Sequence, residues 1–598
     1  MNTKQAFLIL LLCRTLSALY YHVITDCDEV FNYWEPSHFV AFGTGFQTWE
    51  YSPQFNIRSW LYAGIHAVAS VVCAGVLQLS KVSTFYTIRV LFAVTSAAAE
   101  AKLYAAVKRA NSAECANWML LFLAASTGMT AASTAYLPSS FSMYLVTLAF
   151  AHSLDGAPSN RRTWMFVFLI AASVIVGWPF SGAMALPFLF EDLIAMGSTG
   201  TQSTRVSRFL AAVSAGLSAL AGLLGPTLIV DRIYYGFWSV VPLNIVLYNV
   251  FSGSGEGKGP DIFGTEPWWF YVANGALNFN IAFVACLLSV PCLLISRLIM
   301  GVSKTHQNLQ LWKQINRLLP FYLWFAIFST QPHKEERFLF VVYPIVCYNA
   351  AIAISSVLQM LDWILSGRKL KKSKFAPSKS KRMLVRSAEL IIATVFVTIS
   401  VSRTIAMVEN YGAPIQVYTH ASNHLAVLNQ STRLCIGKEW YRFPSHYFIP
   451  SNVEVRFIRS EFRGLLPAKF GDSVDESLTS PLKTWEVTRV NPRNLNEFNK
   501  EDETRYVAVD TCDYLIDSDF GPVDNEAVKA AMNSNDNKSL ERRFILDTRA
   551  WETVVCQQFL DSGKSQGLFG KVLWAPSYLG MKKGQKWGRY CMLKKVHK

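Results

Sequence analysis

Two short stretches of this chain concentrate groups able to do chemistry. In Asp26-Cys27-Asp28-Glu29, three carboxylates fall within four positions. Such crowding can raise one carboxylate pKa toward the range a general base needs, although a solvated loop start reads the same way. Aromatic residues follow in Phe31-Asn32-Tyr33-Trp34-Glu35-Pro36 and in Gly45-Phe46-Gln47-Thr48-Trp49-Glu50-Tyr51-Ser52-Pro53. Their flat apolar faces suit sugar rings or the bilayer interface. The second concentration is Gln331-Pro332-His333-Lys334-Glu335-Glu336-Arg337-Phe338, where three groups able to carry positive charge sit beside two acids. It can hold an anionic lipid headgroup without a metal. An ion-paired helix start with Lys334 and Arg337 snorkelling is the plainer reading. Ionisable clusters at membrane depth are costly, which favours the functional one. A third region, Asp231-Arg232 through Tyr248 to Gly264-Thr265-Glu266-Pro267-Trp268-Trp269, contains a glycine-rich run at 253–259. No strand-to-helix phosphate-loop pattern accompanies those glycines, so a nucleotide site is a poor reading and a lid or a plain surface loop remains.

The elements that must position these residues are membrane spans. Of 598 residues 52% are apolar and only 16% charged, against roughly 25% charged in an ordinary soluble domain. Apolar segments lie near 5–22, 60–80, 84–107, 116–136, 139–153, 162–180, 182–197, 207–230, 281–301, 311–330, 337–358 and 387–407. The net charge of +15 includes nine cations and no acid between Gly367 and Arg386. Flanked by apolar runs, that cluster reads as a cytoplasmic loop rather than a nucleic-acid patch. Placing Lys4, Lys108-Arg109, Arg161-Arg162, Arg205 to Arg208 and Lys304 to Arg317 on the same side requires one apolar segment not to cross, and 60–80 is the best candidate. Eleven spans result, with the N-terminus cytoplasmic and the C-terminus opposite. The expected organisation is a membrane catalytic domain over 1–408, with non-cytoplasmic loops at 24–60 and 231–280 and the basic loop at 366–386, then a luminal domain over 409–598. Alternation in Val453 to Ile458 and the run Tyr506 to Val509 predict strands in the tail, and Asn525 to Met532 a helix. The tail also holds acceptor tripeptides at Asn429 and Asn537 and four cysteines, Cys435, Cys512, Cys556 and Cys591, whose three pairings stay open.

The run from Asp26 to Ser59, the Pro242 to Asn280 loop and the His333 to Phe338 turn closely resemble the dolichyl-phosphate-mannose-dependent mannosyltransferases of the GT-C superfamily. The long motifs Phe31 to Pro36 and Gly45 to Pro53 are similar to those of the alpha-1,2-mannosyltransferases that extend the lipid-linked oligosaccharide for N-glycosylation. The resemblance implies a polytopic α-helical membrane protein of GT-C fold with a mixed α/β luminal C-terminal domain, resident in the endoplasmic reticulum. It implies dolichyl phosphate mannose as donor, a dolichyl-diphosphate oligosaccharide as acceptor, addition of the seventh and ninth mannose, and inversion at the anomeric carbon. Related members carry a His-Pro-Asp-Glu motif in the first loop; here Asp26-Cys27 stands in place of His-Pro, so only Asp28 and Glu29 carry over directly and the base lies between Asp26 and Asp28. Inversion needs one carboxylate base, assigned to Asp28 with Glu29 or Asp26 as helper, and partners for the leaving phosphate, assigned to His333, Lys334 and Arg337. Trp34, Glu35, Trp49, Tyr51 and Tyr248 are assigned to the acceptor and its sugars. No metal or other cofactor is expected, because cationic side chains can hold a monophosphate; membrane lipid is an expected partner and nucleic acid is not. Competing readings are a sister enzyme of other linkage, such as one acting on the glycosylphosphatidylinositol anchor, and a non-enzymatic lipid transporter or receptor.

Overall fold

A computed structural model describes residues 1–154, 158–194, 202–251, 259–300, 307–365, 379–428, 430–473, 483–532 and 540–596. Most of the basic stretch 366–386, most of the glycine run 253–259, and the acceptor residues Asn429 and Asn537 lie outside the described residues. The chain forms two compact units, one of Met1–Ala18, Val90–Pro226 and Gly264–Thr404, the other of Leu19–Arg89, Thr227–Phe263 and Ile405–Lys598.

Each of the twelve apolar segments is mostly helical where described. Among the described residues, four continuous helices, Lys81–Ala110, Thr204–Tyr235, Glu336–Leu365 and Met383–Tyr411, are long and apolar enough to cross a membrane, and Ile281–Leu287 with Ser289–Met300 forms a further pair bent by 67°. Other segments are broken into shorter helices, as 113–132 is at Ser126. Backbone groups freed by such breaks must find partners inside the protein. The segment chosen as non-crossing, 60–80, is helical over Trp60–Val76, about 25 Å at 1.5 Å per residue and short of the roughly 30 Å hydrocarbon core.

In the first unit, Arg14, which interrupts the first apolar run, is fully buried. Its guanidinium donates to both carboxylate oxygens of Glu100, at 2.8 and 2.7 Å, and to the Leu123 carbonyl at 2.6 Å. A charge in an apolar interior persists only when paired and hydrogen-bonded in this way. Arg162 and Arg208, in the basic connectors placed on the cytoplasmic side, are buried. Arg162 lies 3.6 Å from Glu191 and 3.8 Å from Asp192, and Arg208 lies 3.7 Å from Asp192.

In the second unit the strands are β1 (Phe46–Gln47), β2 (Thr432–Ile436), β3 (Val453–Phe457), β4 (Ala468–Lys469), β5 (Tyr514–Asp519), β6 (Trp551–Leu560) and β7 (Trp587–Lys595). Five of them form a sheet in the order β3-β2-β5-β7-β6, parallel on the β3-β2-β5 side and antiparallel across β5-β7-β6. The alternation at Val453 to Phe457 is that of β3, buried at every second residue. Tyr506 to Val509 is not a strand: it contributes one bridge, Phe457 to Tyr506, and enters a 3-10 turn at Val509–Thr511. The helix at Asn525–Met532 is present. Disulfides join Cys435 to Cys512 and Cys556 to Cys591, selecting one of the three pairings. Cys435, Cys512 and Cys591 sit in the sheet's buried cluster with Leu515, Trp551 and Leu593.

The same unit ties the first loop to the tail. β1 pairs antiparallel with β4, Phe46 opposite Lys469 and Gln47 opposite Ala468. Phe39 stacks on Phe470 with ring centroids 4.0 Å apart. Around this seam Phe39, Tyr51, Trp60, Tyr235, Val241 and Phe470 form one apolar cluster.

Candidate active site

The three first-loop carboxylates occupy different environments. A helical run begins at Cys27 and continues to Phe42 through a π turn at Val30–Trp34. Asp26 is its N-cap, its carboxylate accepting the Asp28 backbone N–H at 2.9 Å. An acid there satisfies an orphan helix donor and complements the positive end of the helix. Glu29 is buried and accepts the Trp34 indole N–H at 3.1 Å. Asp28 is half-buried and within electrostatic reach of Arg58. Burial works against the Arg58 charge, but Glu50, Tyr33 and Asp28 together hold its pKa above the ordinary value. Arg58 also donates to both oxygens of Glu50, at 3.2 and 2.8 Å. Asn32 donates to that same carboxylate and accepts from Thr48 Oγ1 at 2.7 Å. Sequence reasoning passed over Arg58, yet it is the one cation among five carboxylates in residues 24–60.

The aromatic residues assigned to sugar binding divide by burial. Trp34 is fully covered, its ring 4.3 Å from Phe85 and 5.5 Å from Tyr447. Tyr51 is equally covered, donating its hydroxyl to the Asn32 carbonyl at 2.8 Å and packing on Trp60 at 4.8 Å. Neither ring presents an open face, so both position the loop. Trp49 is also buried, between Phe55 at 5.1 Å and Tyr248 at 5.2 Å. Tyr248 itself is half-buried. Glu35 is fully buried and accepts from the Phe46 N–H at 2.7 Å, the His446 N–H at 2.7 Å and His446 Nδ1 at 2.6 Å. His446 was not foreseen, because nothing in a linear reading links positions 411 residues apart.

The Gln331 to Phe338 turn belongs to the first unit, where it is laced to the stretch that begins at Gly264. Glu266 donates its N–H to the Pro332 carbonyl at 3.0 Å, and His333 Nδ1 pairs with the Gly264 carbonyl at 2.7 Å. Lys334 is buried, its ammonium donating to the Glu266 carbonyl at 2.9 Å and to the Gln331 carbonyl. That ammonium donates to backbone oxygens and so shapes the turn. His333 Nε2 lies 3.5 Å from Glu335, and Arg337 contacts the other oxygen of the same carboxylate. Burial opposes ionisation of Glu335, yet Arg337 and His333 win and hold its pKa down at about 2. Burial likewise opposes a charged His333, but Glu335 and the Gly264 carbonyl raise its pKa above the usual histidine value. Glu336 accepts from Asn278 Nδ2 at 2.8 Å.

The apolar helices mark a membrane protein, and the carboxylate cluster at a helix start and the cationic turn are its candidate functional groups. The model of the Alg9-like mannosyltransferase family matches residues 5–450, and this chain belongs to that family; it is a glycosyltransferase. It is 40% identical over 578 residues to the mouse alpha-1,2-mannosyltransferase ALG9, covering 94% of this chain and 85% of the mouse protein. The Schizosaccharomyces pombe alpha-1,2-mannosyltransferase alg9 is 37% identical over 594 residues, 98% of this chain and 94% of that protein. Among solved structures, ArnT from Cupriavidus metallidurans bound to undecaprenyl phosphate is similar with a TM-score of 0.49 and 12% identity, over 76% of this chain and 85% of that one.

Proposed function

We propose that this protein transfers mannose from dolichyl phosphate mannose in alpha-1,2 linkage onto the dolichyl-diphosphate-linked oligosaccharide, supplying the seventh and ninth mannose for N-glycosylation, in the endoplasmic reticulum membrane with its active site luminal. The observation that carries the reading is the similarity to enzymes named alpha-1,2-mannosyltransferase over 94% and 98% of the chain, which takes in the first loop, the turn and the tail together. Residues 1–408 are read as the catalytic membrane domain and 409–598 as the luminal domain.

The transfer is a single inverting displacement. The acceptor 2-hydroxyl oxygen attacks the anomeric carbon of the donor mannose, the bond from that carbon to the phosphate oxygen breaks, and dolichyl phosphate leaves with the bonding pair. Asp28 takes the hydroxyl proton as general base. Asp28, half-buried and within electrostatic reach of Arg58, is the first choice, with Asp26, the helix cap, or Glu29, buried against Trp34, as helper. His333 and Arg337 stabilise the leaving phosphate by charge-assisted hydrogen bonds, while Lys334 fixes the turn that presents them. Trp49 and Tyr248 are the first-choice acceptor contacts; Trp34, Glu35 and Tyr51 hold the loop. The reaction proceeds without a metal, although Asp26, Cys27 and Asp28 bring potential ligand atoms within 4.8 Å of one another.

The test is purified protein supplied with synthetic donor and with acceptors carrying six or eight mannoses, in EDTA. One added hexose on each is expected. Turnover only on a glycosylphosphatidylinositol acceptor, or none at all, would overturn the reading, and turnover only after a divalent cation is restored would overturn its metal-free part.

A further inference from the structure

Both cations assigned to the donor phosphate are engaged by one carboxylate. Glu335 reaches His333 with one oxygen, at 3.5 Å, and Arg337 with the other. The opposite nitrogen of His333 is anchored on the Gly264 carbonyl, so Nε2 is the nitrogen that a ligand and Glu335 would share. The third cation, Lys334, is committed to carbonyls of the turn. Glu335 keeps about a third of its side chain exposed, against 13% for His333 and Arg337, so an arriving headgroup meets the carboxylate as it meets the cations. A phosphate bound here shares His333 and Arg337 with a fixed negative charge.

That arrangement treats donor and product differently. The donor is a phosphodiester with one negative charge, whereas the product is a phosphomonoester that carries about 1.5 to 2 near neutral pH. A neighbouring carboxylate repels the second in proportion to its extra charge. We propose that Glu335 discriminates product from substrate: it competes for His333 and Arg337 and so weakens the hold on dolichyl phosphate more than on dolichyl phosphate mannose, driving product release. The proposal rests on the reading of the turn as the donor-phosphate site.

The experiment measures the donor KM and the inhibition constant of a polyprenyl phosphate for the full-length protein and for Glu335→Gln. The variant should bind the inhibitor at least about tenfold more tightly, the effect of removing one charge a few ångströms from the phosphate. Its donor KM should fall less, and kcat should drop as release slows. Equal tightening for donor and product, or weaker inhibitor binding, overturns the proposal and makes Glu335 a support for the two cations. Arg337→Ala separates the layers: if it leaves inhibitor binding unchanged, the turn is not the phosphate site, and if it abolishes binding while Glu335→Gln shows no split, only the discrimination fails. Should Glu335→Gln not fold, Glu335→Asp carries the same test by drawing the charge back one methylene. It should show a smaller shift in the same direction, and no shift or a reversed one overturns the proposal.

Discussion

Removal of the His446 side chain tests whether the tail holds the first loop in its working shape. In the folded protein the Glu35 carboxylate, fully buried, accepts three hydrogen bonds, two of them from His446. His446→Ala keeps the backbone N–H but deletes the 2.6 Å bond from Nδ1 and the ring contacts with Phe46 at 5.0 Å and Phe443 at 5.4 Å. A hydrogen bond to a charged group is worth about 1.5–3 kcal/mol, and an aromatic contact adds about 0.5–1.5 kcal/mol. The total, about 2–4 kcal/mol, corresponds to an apparent melting temperature lower by roughly 5–10 °C. Because Glu35 follows Glu29 in the same helical run, the lost anchor should also lower kcat at temperatures where the variant stays folded. His446→Asn, whose amide N–H can stand near the position of Nδ1, should restore most of both. The assay is thermal unfolding in detergent followed by steady-state transfer below the lower melting point. A His446→Ala variant with unchanged melting and unchanged kcat would refute the reasoning, and so would failure of Asn to do better than Ala.

Arg337→Ala should lower kcat/KM for the donor by about one to two decades, the worth of one charge-assisted contact, and should also lower melting because Glu335 loses its main cationic partner; radiolabelled mannose transfer under limiting donor, at temperatures where the variant stays folded, measures it. The turn also predicts a pH signature. His333 has a raised folded pKa, so its stabilising contribution is full below its unfolded 6.5 and is lost as pH rises through the folded value. Glu335, held down at about 2, contributes fully above its unfolded 4.5 and loses that contribution as pH falls through about 2. Melting should therefore decline on the alkaline side of pH 6.5, and His333→Gln should flatten that limb. Protease added to sealed microsomes should cut within 366–386 and spare the tail; digestion of the whole tail would reverse the orientation.

How much of this was legible in the sequence depended on the range of the interactions involved. The apolar runs near 84–107, 207–230, 337–358 and 387–407 correspond to continuous helices, because span length and hydropathy are local properties. β3 and the helix at Asn525–Met532 were readable for the same reason. Burial within the first loop was not. Trp34 and Tyr51 look like exposed loop aromatics until Tyr447 and Trp60 close over them. Glu35 looks like a surface acid until His446 arrives from the tail. The partners of Lys334 were not legible either: a charge pattern counts cations but does not show which of them donate to backbone carbonyls. Arg14 and Arg162 make the same point, since Glu100, Glu191 and Asp192 neutralise them inside the first unit. Disulfide pairing required the register that sets Cys556 opposite Cys591.

The central claim, that a first-loop carboxylate deprotonates the acceptor, is tested most directly by single-turnover mannose transfer with Asp28→Asn and Asp26→Asn side by side. Asn keeps the shape of each side chain and removes its ability to take a proton. The account predicts that Asp28→Asn folds, binds both lipids and loses about two to four decades of rate, the usual worth of general-base catalysis. Asp26→Asn, whose side-chain oxygen can still cap the helix at Asp28, should lose far less. An inactive Asp26→Asn beside an active Asp28→Asn would move the base to Asp26, and full activity in both variants and in Glu29→Gln would contradict the first-loop assignment altogether.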